Sequence, residues 1–365
     1  TMDLMFDLDF PIAGIGEVLV RDGLIDSAFI GATRMDDFWA AARGAADDPG
    51  RTGTIRRVQG RDGSRIFRSF VDGGTVTAID FREGVYDGTV VQSGSTIDEV
   101  VAGVFRNSTL TGDFTEARSN IIRAAEDVRL IETANREGDI SDLLIDVGGS
   151  ITEAVRARVI TRADIQVDVT AALVRAEQDF RASNITTGRL VMLDVGEDIR
   201  TSSVAVSGPI GMVVASDNIT NSAFRSTGID GEIGTIRAGG FLTGEIASSG
   251  PIGTIESMDL DIIATITTTD GDGSLEMLSA GRDAVITTEI LGDVGMITAD
   301  RNVGRSGEAP DRRVINVAGA LRELSAPDGQ LYSDVQVGGG IDTIRAGGRA
   351  PALPGNDQTS RATFN

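Results

Sequence analysis

The chain has 365 residues and a formal net charge of -22, because 55 acidic residues face 33 basic ones, all of them Arg. It contains no Cys and no His, which excludes disulfides, thiolate chemistry and imidazole as a general base or metal ligand. So acidic a chain is not expected to bind nucleic acid, and without a run of about 18 apolar residues no helix should span a membrane. The start at Thr1 lacks a basic-then-apolar leader, as in an intracellular protein or a mature secreted one, and we favour the second.

Residues 1–12 read TMDLMFDLDFPI, in which Leu4, Phe6, Leu8 and Phe10 alternate with mostly acidic residues. This period of two predicts a strand with one buried face. Such a strand either folds back onto the first structural unit that follows it or is donated to a neighbouring subunit.

From residue 13 to residue 348 a short phrase recurs: an apolar residue, two spacers, a second apolar residue, one spacer and a small or apolar residue. Two copies, IGTIRAGG at 233–240 and IDTIRAGG at 341–348, are almost identical. The copies that keep the spacing of three are Ile15–Val18, Ile55–Val58, Val76–Ile79, Ile97–Val100, Leu190–Leu193, Ile210–Val213, Ile233–Ile236, Ile252–Ile255, Leu275–Leu278, Val294–Ile297, Leu321–Leu324 and Ile341–Ile344. Looser copies are centred on Ile122, Leu144 and Val174.

The step between copies is mostly 19–23 residues, which is too short for a helical-hairpin repeat and indicates a β-coil. Gly, Asp and Asn follow the phrase and tolerate the left-handed or turn conformation that a corner requires. A third apolar position follows, as at Val204, Phe224 and Ile246. The pattern predicts an all-β, three-sided parallel β-helix of about 15 coils, stabilised by internal ladders of Ile, Val and Leu.

The phrases IGTIRAGG, GPIGTIES, GSLEMLSAGRDAV and VGMITADRNVG resemble the Gly-rich repeats of large secreted bacterial surface proteins. The resemblance covers most of residues 12–348 and implies a right-handed parallel β-helix (β-solenoid). Coils of this kind serve adhesins, filaments, surface coats and polysaccharide lyases, so the resemblance specifies a fold more than an activity.

Residues 33–48, TRMDDFWAAARGAADD, interrupt the repeat and predict a short helix capped by Asp36 or Asp37. Phe38 and Trp39 should pack over an open end of the solenoid, which we favour over a dedicated partner site. Capping has a physical reason, because an unprotected solenoid end exposes strand edges and invites polymerisation.

Asp270 and Asp272 in DGDGS are spaced as in calcium loops. The Gly and the distal Glu of an EF-hand are missing, with Gly281 where that Glu would fall. An ordinary turn at a coil corner is the favoured interpretation, and calcium is the only cofactor that the sequence suggests.

Many charged residues are predicted to point outward from the coils: Asp127, Asp179, Asp198, Asp283, Arg237, Arg282, Arg301 and Arg345. Paired carboxylates could hydrolyse a glycosidic bond, but polar residues on a solenoid must face outward in any case. The repeat also contributes almost no aromatic platform for sugars beyond Tyr86 and Tyr332. We therefore do not expect an enzyme.

Asn107, Asn184 and Asn218 each begin an N-x-S/T sequon, which matters only in a glycosylating host. The polar insertion at 305–313 is predicted to be a surface loop. Residues 349–365 lose the pattern, which predicts an extended or disordered tail or one that reaches a neighbour.

These features predict a structural subunit of an extracellular or cell-surface filament, sheath or surface layer, forming a homo-oligomer or homopolymer through its ends. Candidate assembly contacts are Leu4, Phe6, Leu8, Phe10, Phe38 and Trp39. The alternatives are a polysaccharide-active enzyme with a groove along one wall, and an adhesin or fibre domain that binds a receptor along its side. A polysaccharide or the cell surface is the expected contact in those alternatives.

Overall fold

The computed structural model describes residues 14–31 in part, 53–106, 120–305 and 313–347, apart from gaps at 16, 22–23, 27–28, 62, 68 and 135–136. These residues form an all-β parallel β-solenoid of about 13 turns, without an α-helix, which confirms the predicted fold class. The predicted count was about 15 coils, and the predicted helix at 33–48 lies outside the described residues, as do the strand at 1–12 and the tail at 349–365. The right-handed sense of the coil stays a prediction.

The chain divides into two compact units, Thr1–Gly188 and Arg189–Asn365. The described strands of the first unit are β1 (Gly14–Ile15), β2 (Val18–Arg21), β3 (Leu24–Asp26), β4 (Phe29–Gly31), β5 (Thr54–Arg61), β6 (Arg65–Phe67), β7 (Phe70–Gly73), β8 (Thr75–Asp87), β9 (Val90–Ser93), β10 (Ile97–Arg106), β11 (Asn120–Ala124), β12 (Val128–Thr133), β13 (Asp139–Ser141), β14 (Leu143–Val147), β15 (Ile151–Ala157), β16 (Val159–Thr161), β17 (Asp164–Ala176) and β18 (Phe180–Arg181). The unit boundary falls within β19 (Asn184–Val195).

The second unit continues the same pattern of short parallel strands. They are β20 (Ile199–Arg200), β21 (Ser203–Val206), β22 (Ile210–Ala215), β23 (Ile219–Ser226), β24 (Ile233–Ala238), β25 (Leu242–Ser248), β26 (Ile252–Ser257), β27 (Ile262–Thr268), β28 (Leu275–Ala280), β29 (Asp283–Ile290), β30 (Val294–Ala299), β31 (Asn302–Val303), β32 (Val314–Val317), β33 (Ala320–Ala326), β34 (Asp334–Val337) and β35 (Gly340–Ala346). Every described pairing is parallel, as a coil stack requires.

The repeated phrase forms one ladder, called here the first wall. In the second unit it runs through β22, β24, β26, β28, β30, β33 and β35. Copies stack in register, so that Ile233 pairs with Ile252 and Ile236 with Ile255. All four side chains are fully buried, and each should contribute about 1.5–3 kcal/mol to stability. The predicted aliphatic ladders are confirmed.

In the first unit, two of the looser copies were assigned to the wrong part of the coil. Ile122 pairs with Val91 and Ile145, and Leu144 pairs with Asp164, on a different wall of the solenoid. The first wall instead passes through β12, where Val128 and Ile131 keep the spacing of three, and β15, where Ile151 and Val155 are four residues apart. The extra residue in β15 is a bulge, and a pattern of fixed spacing does not match this copy.

Each coil also contributes to a second and a third wall. β20 pairs with the beginning of β23, placing Ile199 opposite Ile219, and β21 pairs with its end, placing Val204 opposite Phe224. β31 and β32 divide β29 in the same way. The predicted third apolar position is buried at Val204, Phe224 and Ile246, which accounts for the three-sided coil.

The corner between the second and third walls has a left-handed backbone. Its residues with positive φ include Gly88 (55°), Asp142 (55°), Arg162 (50°) and Ala182 (46°) in the first unit and Thr201 (51°), Asn221 (49°), Gly244 (146°) and Gly304 (90°) in the second. The sequence predicts Gly, Asp or Asn only at the corner that follows the phrase, and this second corner also holds Arg162, Ala182 and Thr201. The stacked neighbours impose this conformation on residues that would not choose it alone.

The corner after the first wall has a different requirement. Gly239 and Gly240 follow IGTIRA, and neither has a positive φ. A Cβ on Gly239 would lie 1.8 Å from the carbonyl oxygen of Ser216 in the preceding coil. Glycine is needed here for the close approach of two coils, and not for left-handed backbone as the sequence suggested.

Candidate functional site

The last described coil consists of β34 and β35 and is called here the terminal coil. Among the described strands, β34 pairs with β32 and β35 with β33, and the opposite edge of each has no partner. The two copies of the phrase therefore differ in environment: Ile236 is fully buried, whereas its counterpart Ile344 is 40% exposed. Ala238 is buried, and its counterpart Ala346 is exposed.

The terminal coil thus combines apolar side chains with a row of backbone groups that lack a neighbour in the described part of the chain. Val335, Val337 and Ile341 are half-buried, although the equivalent positions one coil earlier, such as Leu321 and Ile315, are fully buried. A flat edge with exposed apolar residues is a template for the addition of another strand. This edge is the clearest candidate for an interaction site in the described residues.

A charged side chain borders this edge. Arg345 lies 3.7 Å from Glu323 of the preceding coil, and its side chain is 66% exposed. Arg345 and Glu323 are offset by two positions along paired strands, since Glu323 is opposite Thr343. Among the described residues, the guanidinium pairs with an acidic side chain of one neighbouring coil, and its other N–H groups can donate to a carboxylate on the opposite side.

Arginines inside the stack use both sides. In the first unit, Arg129 contacts Asp98 of the preceding coil at 2.5 Å and Glu153 of the following coil at 2.5 Å. The hydrogen bonds to these carboxylates raise the pKa of Arg129. This protein therefore already contains an Arg that lies between an acidic residue of the preceding coil and one of the following coil.

Two of the carboxylates predicted to point outward are buried instead. Asp179 and Asp198 are 3% and 5% exposed and contact Arg181 and Arg200, respectively. Asp198 also accepts hydrogen bonds from the backbone N–H (3.0 Å) and the Nδ2 (2.8 Å) of Asn218 in the next coil. The expectation of an outward position is wrong for both residues, and the carboxylate of Asp198 caps a backbone donor at the corner after the first wall.

The same corner continues along the second unit. Asn218 Oδ1 accepts a hydrogen bond from the backbone N–H of Phe241 at 2.8 Å. Farther on, Asp261 accepts from the backbone N–H of Asp283 at 3.1 Å and from both Nε and Nη2 of Arg282. Asp283 in turn accepts from Arg301 and from Asn302 Nδ2. Each of these contacts joins one coil to the next.

Five other charged residues of the predicted outward set face solvent, whereas Asp283 is half-buried. Arg237, Arg282, Arg301 and Arg345 are substantially exposed, and Asp127 is exposed while accepting a hydrogen bond from the backbone N–H of Ser150. Arg237 pairs with Glu256 of the next coil at 2.6 Å. The exposed arginines therefore form ion pairs between neighbouring coils.

These contacts set the ionisation of Asp198 and Asp283. Burial by itself would raise the pKa of Asp198, but hydrogen bonds from Asn218 and Arg200 outweigh it and hold that pKa below its ordinary value. The hydrogen bond from Arg301 is the main reason that the pKa of Asp283 is also lowered, against the opposing effect of burial. A general acid for glycoside hydrolysis needs a raised pKa, so neither residue is suited to that role.

The lowered pKa of Asp198 predicts that the protein loses stability in acid. A carboxyl group whose folded-state pKa is depressed contributes stability above its ordinary pKa of about 3.9, and that contribution disappears as pH falls toward the lower folded-state value. Asp198→Asn keeps an acceptor oxygen for Asn218 but cannot titrate. It should be less stable than the wild type at pH 7 and show a shallower loss of stability below pH 4.

Urea unfolding followed by circular dichroism at a series of pH values between 2 and 7 measures this effect. Asp270→Asn is the matched control, since Asp270 is an exposed turn residue. Equal pH slopes for Asp198→Asn and the wild type would contradict the role of Asp198.

The calcium candidates lie on an exposed turn between two coils. The backbone N–H of Gly273 donates to the carbonyl of Asp270 at 2.9 Å, and Thr268 Oγ1 donates to the carbonyl of Gly273 at 3.0 Å. Asp270 and Asp272 are both exposed. No group of three or more acidic side chains that could hold a metal ion occurs in the described ranges, so the two residues are not joined there by a third acidic ligand.

The remaining predicted residues are divided between described and undescribed parts of the chain. The assembly candidates Leu4, Phe6, Leu8, Phe10, Phe38 and Trp39 and the sequon at Asn107 lie outside the described residues. Asn184 is exposed at the start of β19, whereas the amide of Asn218 is engaged between coils.

Tyr86, one of the two aromatic residues that the sequence offers as a sugar platform, is fully buried. Its ring packs against Phe105 with centroids 5.1 Å apart, and its hydroxyl donates to the carbonyl of Ile121 at 3.1 Å. Burial raises the pKa of Tyr86 well above its ordinary value. Tyr86 is therefore a core residue of the first unit.

The terminal coil was missed as a site because its sequence reads like an interior coil. The only signal was its position, as the last copy of the phrase before the pattern is lost at residue 349.

The described geometry defines this chain as a parallel β-solenoid repeat protein. No family model, curated protein or solved structure matches it. In the described ranges, no helix has the length and hydropathy required to cross a membrane.

Proposed function

We propose that this chain is a structural subunit of an extracellular assembly, such as a filament, sheath or surface layer, and that copies associate through the ends of their coil stacks. The proposal follows the resemblance of the repeats to those of secreted bacterial surface proteins. It needs no catalytic group and no cofactor.

The terminal coil, whose outer edge no other described strand covers, is the observation that supports this proposal most directly. Ile344 is 40% exposed at a position where the preceding copy, Leu324, is 1% exposed. A solenoid end of this kind exposes both strand edges and apolar side chains of the ladder. Another coil stacked on it would pair the edges and bury the side chains. Association through ends that differ from each other produces open chains rather than closed dimers.

Self-association of the purified full chain tests the proposal. Sedimentation velocity across a concentration series should show growing oligomers, and negative-stain electron microscopy should show long unbranched fibres. Both measurements belong at physiological ionic strength, because a net charge of -22 opposes association when salt is low. Isolated short particles at all concentrations would favour a receptor-binding fibre domain instead.

The N-terminal strand provides a second test of assembly. If Leu4, Phe6, Leu8 and Phe10 are contacts between copies, deletion of residues 1–12 should shorten or abolish the fibres. Fibres of unchanged length and abundance in the electron microscope would remove these four residues from the interface.

A further inference from the structure

We propose that the terminal coil of one copy is covered by the first coil of a second copy, meaning β1 and β2, in the same parallel register that joins coils within the chain. This inference rests on the proposed function and names the partner surface. It is a head-to-tail contact between two copies of this chain.

The first coil has the apolar positions that this contact requires. Ile15 is opposite Ile55 and Val18 is opposite Val58, so β1 and β2 are paired on one side by β5. Among the described strands their other side has no partner, and both side chains are only half-buried. Ile15 and Val18 repeat the spacing of Ile341 and Ile344, and the two pairs would extend the aliphatic ladder of the first wall.

The parallel register also matches charge. With Ile15 set opposite Ile341, Glu17 of the second copy falls opposite Thr343, the position that Glu323 occupies on the other side. Glu17 is exposed, and it would reach Arg345 along the same diagonal that Glu323 uses at 3.7 Å. Arg345 would then lie between the carboxylate of Glu323 in the preceding coil and that of Glu17 in the next copy.

The contact repeats an arrangement already present inside the chain. Arg129 lies between Asp98 and Glu153 of its two neighbouring coils, at 2.5 Å from each. A symmetric contact between two terminal coils would instead run their strands antiparallel and interrupt every parallel ladder. The head-to-tail contact leaves one free end of each kind, so it propagates into a chain of subunits.

Charge reversal at the two partners tests the register. Arg345→Glu faces Glu17, and Glu17→Arg faces Arg345, so each variant alone should associate about tenfold more weakly than the wild type. The double variant restores an opposite pair and should associate about as strongly as the wild type. An equimolar mixture of the two single variants should also associate, because every contact between unlike chains then joins opposite charges. Sedimentation velocity of the full chain measures all of these.

Arg237→Glu is the matched control. Arg237 occupies the same column of the first wall as Arg345, but it lies inside the stack and pairs with Glu256. It should leave association unchanged. Circular-dichroism melts of all variants establish that the coil stack is folded in each.

The outcomes separate this contact from the broader function. If the wild type forms fibres and both single charge-reversal variants associate as strongly as it does, the first-coil contact is wrong and the structural role stands. A wild-type chain that stays monomeric at every concentration would overturn both. If deletion of residues 348–365 is required before copies associate, the tail of the same chain covers the terminal coil, and the proposed contact is wrong for the intact protein. Loss of association after deletion of residues 1–12, together with no effect of Glu17→Arg, would identify the N-terminal strand as the occupant instead.

Discussion

Replacing Ile236 by Asp should unfold the second unit under conditions where the wild-type chain is folded, whereas Ile344→Asp should leave the thermal transition of the monomer nearly unchanged. The two isoleucines occupy the same place in almost identical phrases, IGTIRAGG and IDTIRAGG. Ile236 is fully buried between Val213 and Ile255 of the adjacent coils, and Ile344 is 40% exposed. The two isoleucines therefore have nearly the same local sequence and differ mainly in how deeply their side chains are buried.

The expected difference is large because the new carboxylate at position 236 has no water and no cation to solvate it. Burying an unpaired charge costs more than about 4 kcal/mol. The milder Ile236→Ala removes buried methyl groups and should cost about 2–5 kcal/mol, while Ile344→Ala should cost about 1 kcal/mol or less.

Urea unfolding of the four variants by circular dichroism, at a concentration where the chain is monomeric, measures both differences. If Ile344→Ala is as destabilising as Ile236→Ala, then the edge at Ile344 is covered within a single chain. In that case the terminal coil cannot be the exposed surface on which the proposed function depends.

Gly244→Ala should destabilise the second unit by about 3 kcal/mol. Gly244 has a φ of 146°, in the region that favours glycine. A Cβ there would also lie 1.9 Å from the carbonyl oxygen of Ser222 in the preceding coil. The backbone of that coil would have to move, which would disturb the pairing of β23 with β25 at the corner between the second and third walls.

Gly271→Ala is the matched control for this prediction. Gly271 is exposed on the turn between two coils, has no positive φ, and a Cβ there would meet nothing within 4 Å. It should change the unfolding free energy by less than about 0.5 kcal/mol. Equal stabilities of the two variants in urea unfolding would show that the corner at Gly244 relaxes without cost.

The repeat was predictable from sequence because a coil stack places one coil's apolar residues at the same positions as the next coil's. The ladder from Leu190 through Ile233 to Ile341 keeps its spacing, and the structure pairs these residues in register. The prediction failed where pairing shifts along the strand, as between β12 and β15, because a bulge changes the spacing without changing the fold.

The candidate site was less predictable. Asp198 and Asp283 occupy the same coil position in a polar context, and sequence alone suggested that both face outward. Asp198 accepts hydrogen bonds from Asn218 of the next coil, and Asp283 accepts them from Arg301 and Asn302 of the next coil. A carboxylate's partner 18 to 20 residues away is defined only once the register of the coils is known.

The sequence by itself determined the period of the coil, the aliphatic residues of its core and the absence of His and Cys chemistry. These properties depend on residue type and spacing, which are local. The tertiary structure decided which carboxylates are buried and which corner residues adopt left-handed backbone. It also decided that Ile344 is exposed although Ile236, in the same phrase, is buried. The physical reason is that each coil is completed by its neighbours, so burial depends on whether a further coil stacks on it.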